Sequence, residues 1–258
     1  MFKNKTHTLF LVLGGFFITN ALVAEFIGVK IFSLEQSLGF PSLDLSLFGV
    51  SGLGFNLTAG VLLWPVVFVM TDIINEYYGK KGVQRLSYMA VGLIIYAFVI
   101  IYLSIQLSPN GWWDTLSGNS DNKDLHITSM DAAYGKILGQ GLWIIVGSLV
   151  AFMVGQILDV LVYHKIRKYT GESKIWLRAT GSTLVSQFVD SFVVLIIAFY
   201  IGSDWDLVRV LAIGTVNYIY KFIIAIALTP VIYIAHHMID NYLGEDLANQ
   251  LKTEASTA

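Results

Sequence analysis

Asp72 and Glu76 stand four residues apart in the stretch WPVVFVMTDIINEYYGKK, which begins as apolar as a lipid-facing helix. At 3.6 residues per turn, both carboxylates fall on one helix face, one turn apart. An Asp at the centre of a membrane helix costs about 2.5–3.5 kcal/mol, so such a group needs a partner or a use. Similar groups recur downstream. Gln156 and Asp159 are spaced i, i+3, as are Gln187 and Asp190, while Asn217 and Lys221 are spaced i, i+4. Asn20, Glu25 and Lys30 lie in the first apolar run. Carboxylates and amides among Tyr, Phe and Trp suit a flat polar ring: a carboxylate accepts two N–H donors, and an aromatic face stacks on the ring. A protonated amine or a bare cation would satisfy the same groups.

Each group also has a purely structural reading. Gln and Ser in membrane helices often hydrogen-bond a neighbouring helix. Glu76 and Asp159 fall near helix ends, within reach of Lys80 and Lys165. Asp72, Asp190 and Lys221 lie more than a turn inside their apolar spans. Lys221 can neutralise only one aspartate, and the carboxylate left over favours a polar cavity.

The elements that must position these groups are membrane helices. Of 258 residues, 55% are hydrophobic and 13% charged, against about 25% charged in a soluble domain. A net charge of −2 argues against a nucleic-acid partner, and the absence of cysteine excludes disulfides, thiolate metal sites and Cys nucleophiles. There is no G-x-x-x-x-G-K-[ST] loop and no G-x-G-x-x-G after a strand, so no nucleotide cofactor or metal is expected, and any ATP hydrolysis would belong to a partner.

Six apolar runs are long enough to span a bilayer, which needs roughly 20 residues: 9–32, 58–78, 86–107, 137–163, 181–201 and 211–236. The basic start followed by Ala21 and Ala24 looks like a signal peptide, but the run continues to Phe32 and reads as the first transmembrane helix. Pro65 should kink the second helix, and Gly79 should end it. Alternation at 43–48 and the glycines at 49, 52 and 54 predict a short surface hairpin after the first helix. The connection 108–134 is polar, with Trp112 and Trp113 at interfacial positions, and the tail 243–258 reads as disordered. The expected fold is therefore an all-α integral membrane protein, one domain over 1–258 with six transmembrane helices. The Q-x-x-D pair in GQILD and SQFVD is compatible with an inverted three-plus-three repeat.

Lysine and arginine are asymmetric. Lys3, Lys5, Lys80, Lys81, Arg85, Lys165, Arg167, Lys168, Lys174, Arg178 and Lys252 fall on one side; Lys123, Lys136 and Arg209 fall on the other. The positive-inside rule predicts both termini in the cytoplasm and a multi-pass protein of the cytoplasmic (inner) membrane.

The run FVMTDIINEYYGKK, with Asn20 and Lys30 ahead of it, resembles the queuosine precursor transporter family, also called vitamin uptake transporters. WLRATGSTLVSQFVDS, from Trp176 to Ser191, resembles that family's second signature, and Gln156-x-x-Asp159 and Lys221 fit the pattern. The resemblance spans about 9–236. It implies a non-enzymatic importer of 7-cyano-7-deazaguanine or its aminomethyl analogue, with a fold similar to the substrate-binding components of energy-coupling-factor importers. By position, Asp72, Glu76, Gln187 and Asp190 are first choices for substrate contact, with Asn20, Gln156, Asp159 and Lys221 behind them. Arg178 is expected as a structural anchor. Alternating access would centre on Asp72, Asp190 and Gln187 with Lys221 as counter-ion, and Glu76 or Asp159 is the candidate for a coupling proton. The rivals are a binding subunit for a vitamin or nucleobase served by a separate ATPase module, a carrier of another vitamin on the same scaffold, and an intramembrane enzyme. The last lacks Cys, H-E-x-x-H and a Ser–Lys pair. A homo-oligomer stays open.

Overall fold

A computed structural model of the chain describes residues 2–115, 127–139, 141–170 and 174–257; Lys123 lies outside them. The chain is helical, with α1 (Phe2–Ile27), α3 (Trp64–Ile105), α6 (Leu142–Thr170), α7 (Ile175–Leu195) and α8 (Leu207–Ala227) as the long elements. Among the described residues, five helices are long and apolar enough to cross a membrane. Ile95, Leu103, Ile223 and Ile226 face outward, whereas Glu76, Asp159 and Arg178 are wholly enclosed. That inversion of the soluble pattern is what a lipid solvent imposes.

α3 is one helix in sequence but two arms in space. Gly79 has φ 65° and ψ −173°, a backbone region open essentially to glycine alone. Gln156 Oε1 on α6 accepts from both Thr71 Oγ1, at 3.1 Å, and Ser87 Oγ, at 3.3 Å. In a straight helix those two hydroxyls would be about 24 Å apart. The arms 64–78 and 80–105 therefore fold back on each other around Gly79, with Lys80, Lys81 and Arg85 at the turn. The tyrosine before the glycine ties the turn to α1: Tyr78 donates to the Thr6 carbonyl at 2.8 Å and packs on Phe10. α1, both arms of α3 and α6 share the main core, built on Phe17, Ala21, Val67, Ile74, Ala90, Ile94 and Phe152.

Three expectations are corrected here. Pro65 does not kink a helix; it sits in the first turn of α3, where its missing N–H would have had no partner anyway. The predicted last helix, 211–236, is divided between α8 and α9 (Thr229–Leu243), because Pro230 in the first turn of α9 cannot continue the α8 ladder. The tail is not disordered. Glu245–Thr257 forms a helix, α10, whose Ala248, Leu251 and Ala255 are buried. Its apolar stripe is narrow and made largely of alanine, so average polarity concealed it, and Glu245 and Asp246 favour the helix start. α10 packs on the α3 turn: a Cβ on Gly79 would lie 2.9 Å from the Ala255 carbonyl oxygen.

The surface hairpin is present. β2 (Leu45–Leu47) and β3 (Val50–Leu53) pair antiparallel around Phe48 and Gly49, both with positive φ, as a tight hairpin turn demands. β1 (Ile31–Ser33) pairs antiparallel with β4 (Asn56–Thr58), closing the loop at its base. Between β1 and β2, the short helix α2 (Leu34–Ser37) carries Glu35, which accepts from the Phe55 amide at 2.8 Å and from Ser33 at 3.0 Å. Burial works against its charge, but these bonds outweigh it and hold the Glu35 carboxyl below the usual range. Leu53 of β3 packs on Ala212 and Val216, fastening the hairpin to α8. Short helices α4 (Gly111–Asp114) and α5 (Met130–Leu138) flank the polar connection. Ser129 caps α5 and donates to Asp114 at 2.7 Å.

Candidate functional site

α6 and α7 form the most extensive helix pair, and α7 presents polar residues to two sides. Thr180, Thr183 and Gln187 are spaced i, i+3, i+7, a helical stripe facing the first arm of α3 and α8. Between them lies a narrow cavity of about 20 Å³, room for little more than one water, so a ligand would need the helices lining it to part. Asp72, Thr180, Thr183, Gln187 and Lys221 supply its polar groups, while Phe68 and Ile232 are among its apolar walls.

Asp72 reaches the cavity from the centre of its arm and is 1% exposed. Its Oδ2 accepts from Thr183 at 3.2 Å and its Oδ1 from Ser182 at 3.5 Å. Gln187 is enclosed, and among the described residues its Nε2, like Gln156 Nε2 and Asn75 Nδ2, has no hydrogen-bond partner. Such a buried donor costs about 1–3 kcal/mol if left unmet, which marks it as a group awaiting an acceptor. Lys221 Nζ lies 2.5 Å from Asp190 Oδ2, so the expected counter-ion role falls on Asp190. The cavity thus offers one carboxylate, one amide donor, a lysine neutralised by Asp190 and the ring of Phe68.

The remaining candidates lie elsewhere. Asp159 does not line the cavity, but Ser186 donates to its Oδ1 at 3.2 Å, and the Thr183 hydroxyl that serves Asp72 is also 3.4 Å from it. Glu76 pairs with neither Lys80 nor substrate space. Its Oε1 accepts from Arg178 at 2.7 Å, its Oε2 from Tyr163, and Arg167 stands at 3.7 Å. All three groups around Glu76 are buried, so Arg178 is the structural anchor expected of it, and a coupling proton on Glu76 is opposed by its cationic surroundings. Tyr77, on the same turn, donates to Asp240 at 2.7 Å, and Lys252 of α10 pairs with that aspartate at 2.9 Å. Gln156 clasps the two arms of α3 rather than the cavity. Asn20 bonds back to the Phe16 carbonyl of its own helix at 2.8 Å. Thr183 is among the polar groups that the sequence places on this helix with Ser182, Gln187 and Asp190, but Tyr163 was not singled out. Thr183 had a signal, its helical register with Gln187, whereas nothing local connects Tyr163 to Glu76.

The two α3 arms, α6, α7 and α8 also carry the similarity to known proteins. Residues 58–235 match the family described as "Putative vitamin uptake transporter". A Bacillus subtilis protein named "Probable queuosine precursor transporter" is 28% identical over 73% of this chain and 75% of its own length. The Escherichia coli "Queuosine precursor transporter" is 28% identical over 69% of this chain and 71% of its own. A Haemophilus influenzae protein with the same name as the Bacillus one is 26% identical over 67% of this chain and 66% of its own. No solved structure matches the chain. With most of its length matched by the family model and its polar groups gathered inside a multi-pass helical membrane domain, the chain belongs to the vitamin uptake transporter family, a family of transporters and not enzymes.

Proposed function

We propose that this protein imports queuosine precursors, 7-cyano-7-deazaguanine or 7-aminomethyl-7-deazaguanine, across the cytoplasmic membrane. The observation that carries the reading is the pairing of Asp72 with the unpartnered Gln187 amide in one enclosed cavity. A guanine-like edge presents two N–H donors beside a carbonyl acceptor. Asp72 accepts the two N–H groups, Gln187 Nε2 donates to the carbonyl, and Phe68 packs on the ring. Lys221, held by Asp190, also lines the cavity, and in this reading the 7-substituent lies toward it. The relatives' names point to the same substrate class.

The transport reading treats the arms of α3 as separate crossings, which with α1, α6, α7 and α8 gives six, as in the energy-coupling-factor binding components. The basic turn at Lys80, Lys81 and Arg85 then faces the cytoplasm together with both termini. Alternating access moves α7 and α8 against α3 around Asp72.

Thermal shift of the detergent-purified protein with each precursor, queuine, guanine and adenine tests the site. Stabilisation by a guanine-edged ligand, at least tenfold weaker in Asp72→Asn and in Gln187→Leu, is expected. Equal response to adenine, or none to any ligand from folded protein, would overturn it. Uptake into liposomes holding this protein alone separates a self-sufficient carrier from a subunit that needs an ATPase module.

A further inference from the structure

Asp72 and Asp159 come from different helices, 1% and 0% exposed, and meet at the hydroxyls of α7. Thr183 Oγ1 lies 3.2 Å from Asp72 Oδ2 and 3.4 Å from Asp159 Oδ1, and its one proton serves one of them at a time. Among the described residues Asp159 Oδ2 has no hydrogen-bond partner within 3.5 Å, although it is sealed from solvent. Ser182 and Ser186 are contested donors, each lying 3.0 Å from a carbonyl of its own helix.

Charge points the same way. In the interior formed by α1, α3, α6, α7 and α8, five carboxylates (Glu25, Asp72, Glu76, Asp159 and Asp190) stand with three cations, Arg167, Arg178 and Lys221, and Glu25 accepts from Ser148. Lys221 is held by Asp190, and both arginines stand at Glu76. Among the described residues, neither Asp72 nor Asp159 forms an ion pair. The other titratable groups nearby are engaged: Tyr163 with Glu76, His164 with Asn75 and His236 with Tyr77. Two bare charges in that position would cost far more than one charge and one neutral acid.

We infer that Asp72 and Asp159 hold one proton between them, carried on Asp159 when substrate occupies Asp72, and that this proton crosses the membrane with the substrate. The proton gives Asp159 a neutral form and leaves Asp72 the charged acceptor that an N–H-rich edge requires. Proton and substrate enter from the same side: the O–H bond forms on Asp159 from an external proton and breaks toward the cytoplasm, one proton per substrate. Asp159 touches neither substrate nor cavity; it acts through Asp72 and Thr183.

The transport half of this inference rests on the import reading, whereas the proton does not, and two measurements keep them apart. Infrared spectra of the purified wild type should contain a protonated-carboxyl carbonyl band at neutral pH. Part of that band should vanish in Asp159→Asn and persist in Glu25→Gln, which reports another enclosed acid. If Asp159→Asn does not fold, Thr183→Val keeps both acids and should displace the band. A band that neither substitution alters, or stabilisation by sodium in place of any such band, overturns the proton. In liposomes, one pH unit, acid outside, supports at most about tenfold accumulation at one proton per substrate. Wild type should accumulate a precursor under that gradient. Asp159→Asn should still exchange it across the membrane but should not concentrate it. Accumulation by Asp159→Asn equal to wild type overturns the coupling. Failure of the wild type to exchange either precursor overturns the import reading and the coupling with it, while the infrared result stands alone.

Discussion

Asp72 and Glu76 occupy successive turns of one helical arm, equally deep, and their surroundings are opposite. Glu76 has a guanidinium on one oxygen, a phenol on the other and a second guanidinium close by. Asp72 has two hydroxyls and no cation. The first cluster is complete as it stands; the second needs something added. One turn of helix therefore separates a carboxylate held by cations from one held by hydroxyls alone among the described residues. The partners supplied by α6 and α7 decide which is which, and the acids themselves do not differ.

The comparison is broken most severely by removing one member of the complete cluster. Arg178→Ala leaves Glu76 as a buried unpaired charge, and a loss of about 3–5 kcal/mol is expected, read as failure to recover folded protein or a large fall in Tm. Asp72→Asn should do the reverse, leaving Tm level or raised while ligand response disappears. If both substitutions destabilise alike, the two clusters are not distinct. Next in size is Gly79→Ala, where a left-handed backbone and a clash with Ala255 combine for about 1–3 kcal/mol. Deleting residues 245–258 should remove the clash and leave the backbone strain, so the cost of Gly79→Ala falls in that background. Lys252→Ala breaks a partly exposed pair with Asp240 and should cost no more than about 1 kcal/mol by thermal melt. The smallest effect is local. The Glu35 carboxyl is held below its ordinary range, so it stabilises the loop above that range, and the stabilisation is lost as pH falls through the depressed value. Hydrogen exchange at Phe55, normalised for intrinsic rate, should speed up there, and Glu35→Gln should abolish the pH dependence.

What was legible in the sequence is what short-range spacing encodes. The apolar runs marked the helices, the helical register of α7 put Gln187 on the face that lines the cavity, and Gly79 announced the end of an arm. Contacts between distant segments were not legible. Local spacing offered Lys80 to Glu76, whereas the fold brings Arg178, from the opening turns of α7. It likewise gave no hint that Asp159 meets Asp72, because the meeting depends on how α6, α7 and α3 pack. Gln156 and Gln187 share the same Q-x-x-D frame, yet one clasps a hairpin and the other lines a cavity, so an identical local pattern carries two roles. The α10 helix was missed for a different reason: its buried face is small, and composition averages it away.

That last contact has a consequence for how the chain is made. The turn at Gly79 is covered by Ala255, which leaves the ribosome about 180 residues later. At about 5–20 residues per second, the bent backbone spends about 10–35 s of synthesis uncovered. During that interval the two arms of α3 must hold their hairpin on their own contacts, with α1 already made and α6 arriving midway. A nascent chain stalled before α10 should therefore contain the inserted helices but an unsealed turn, open to protease and to quality-control factors at the membrane surface.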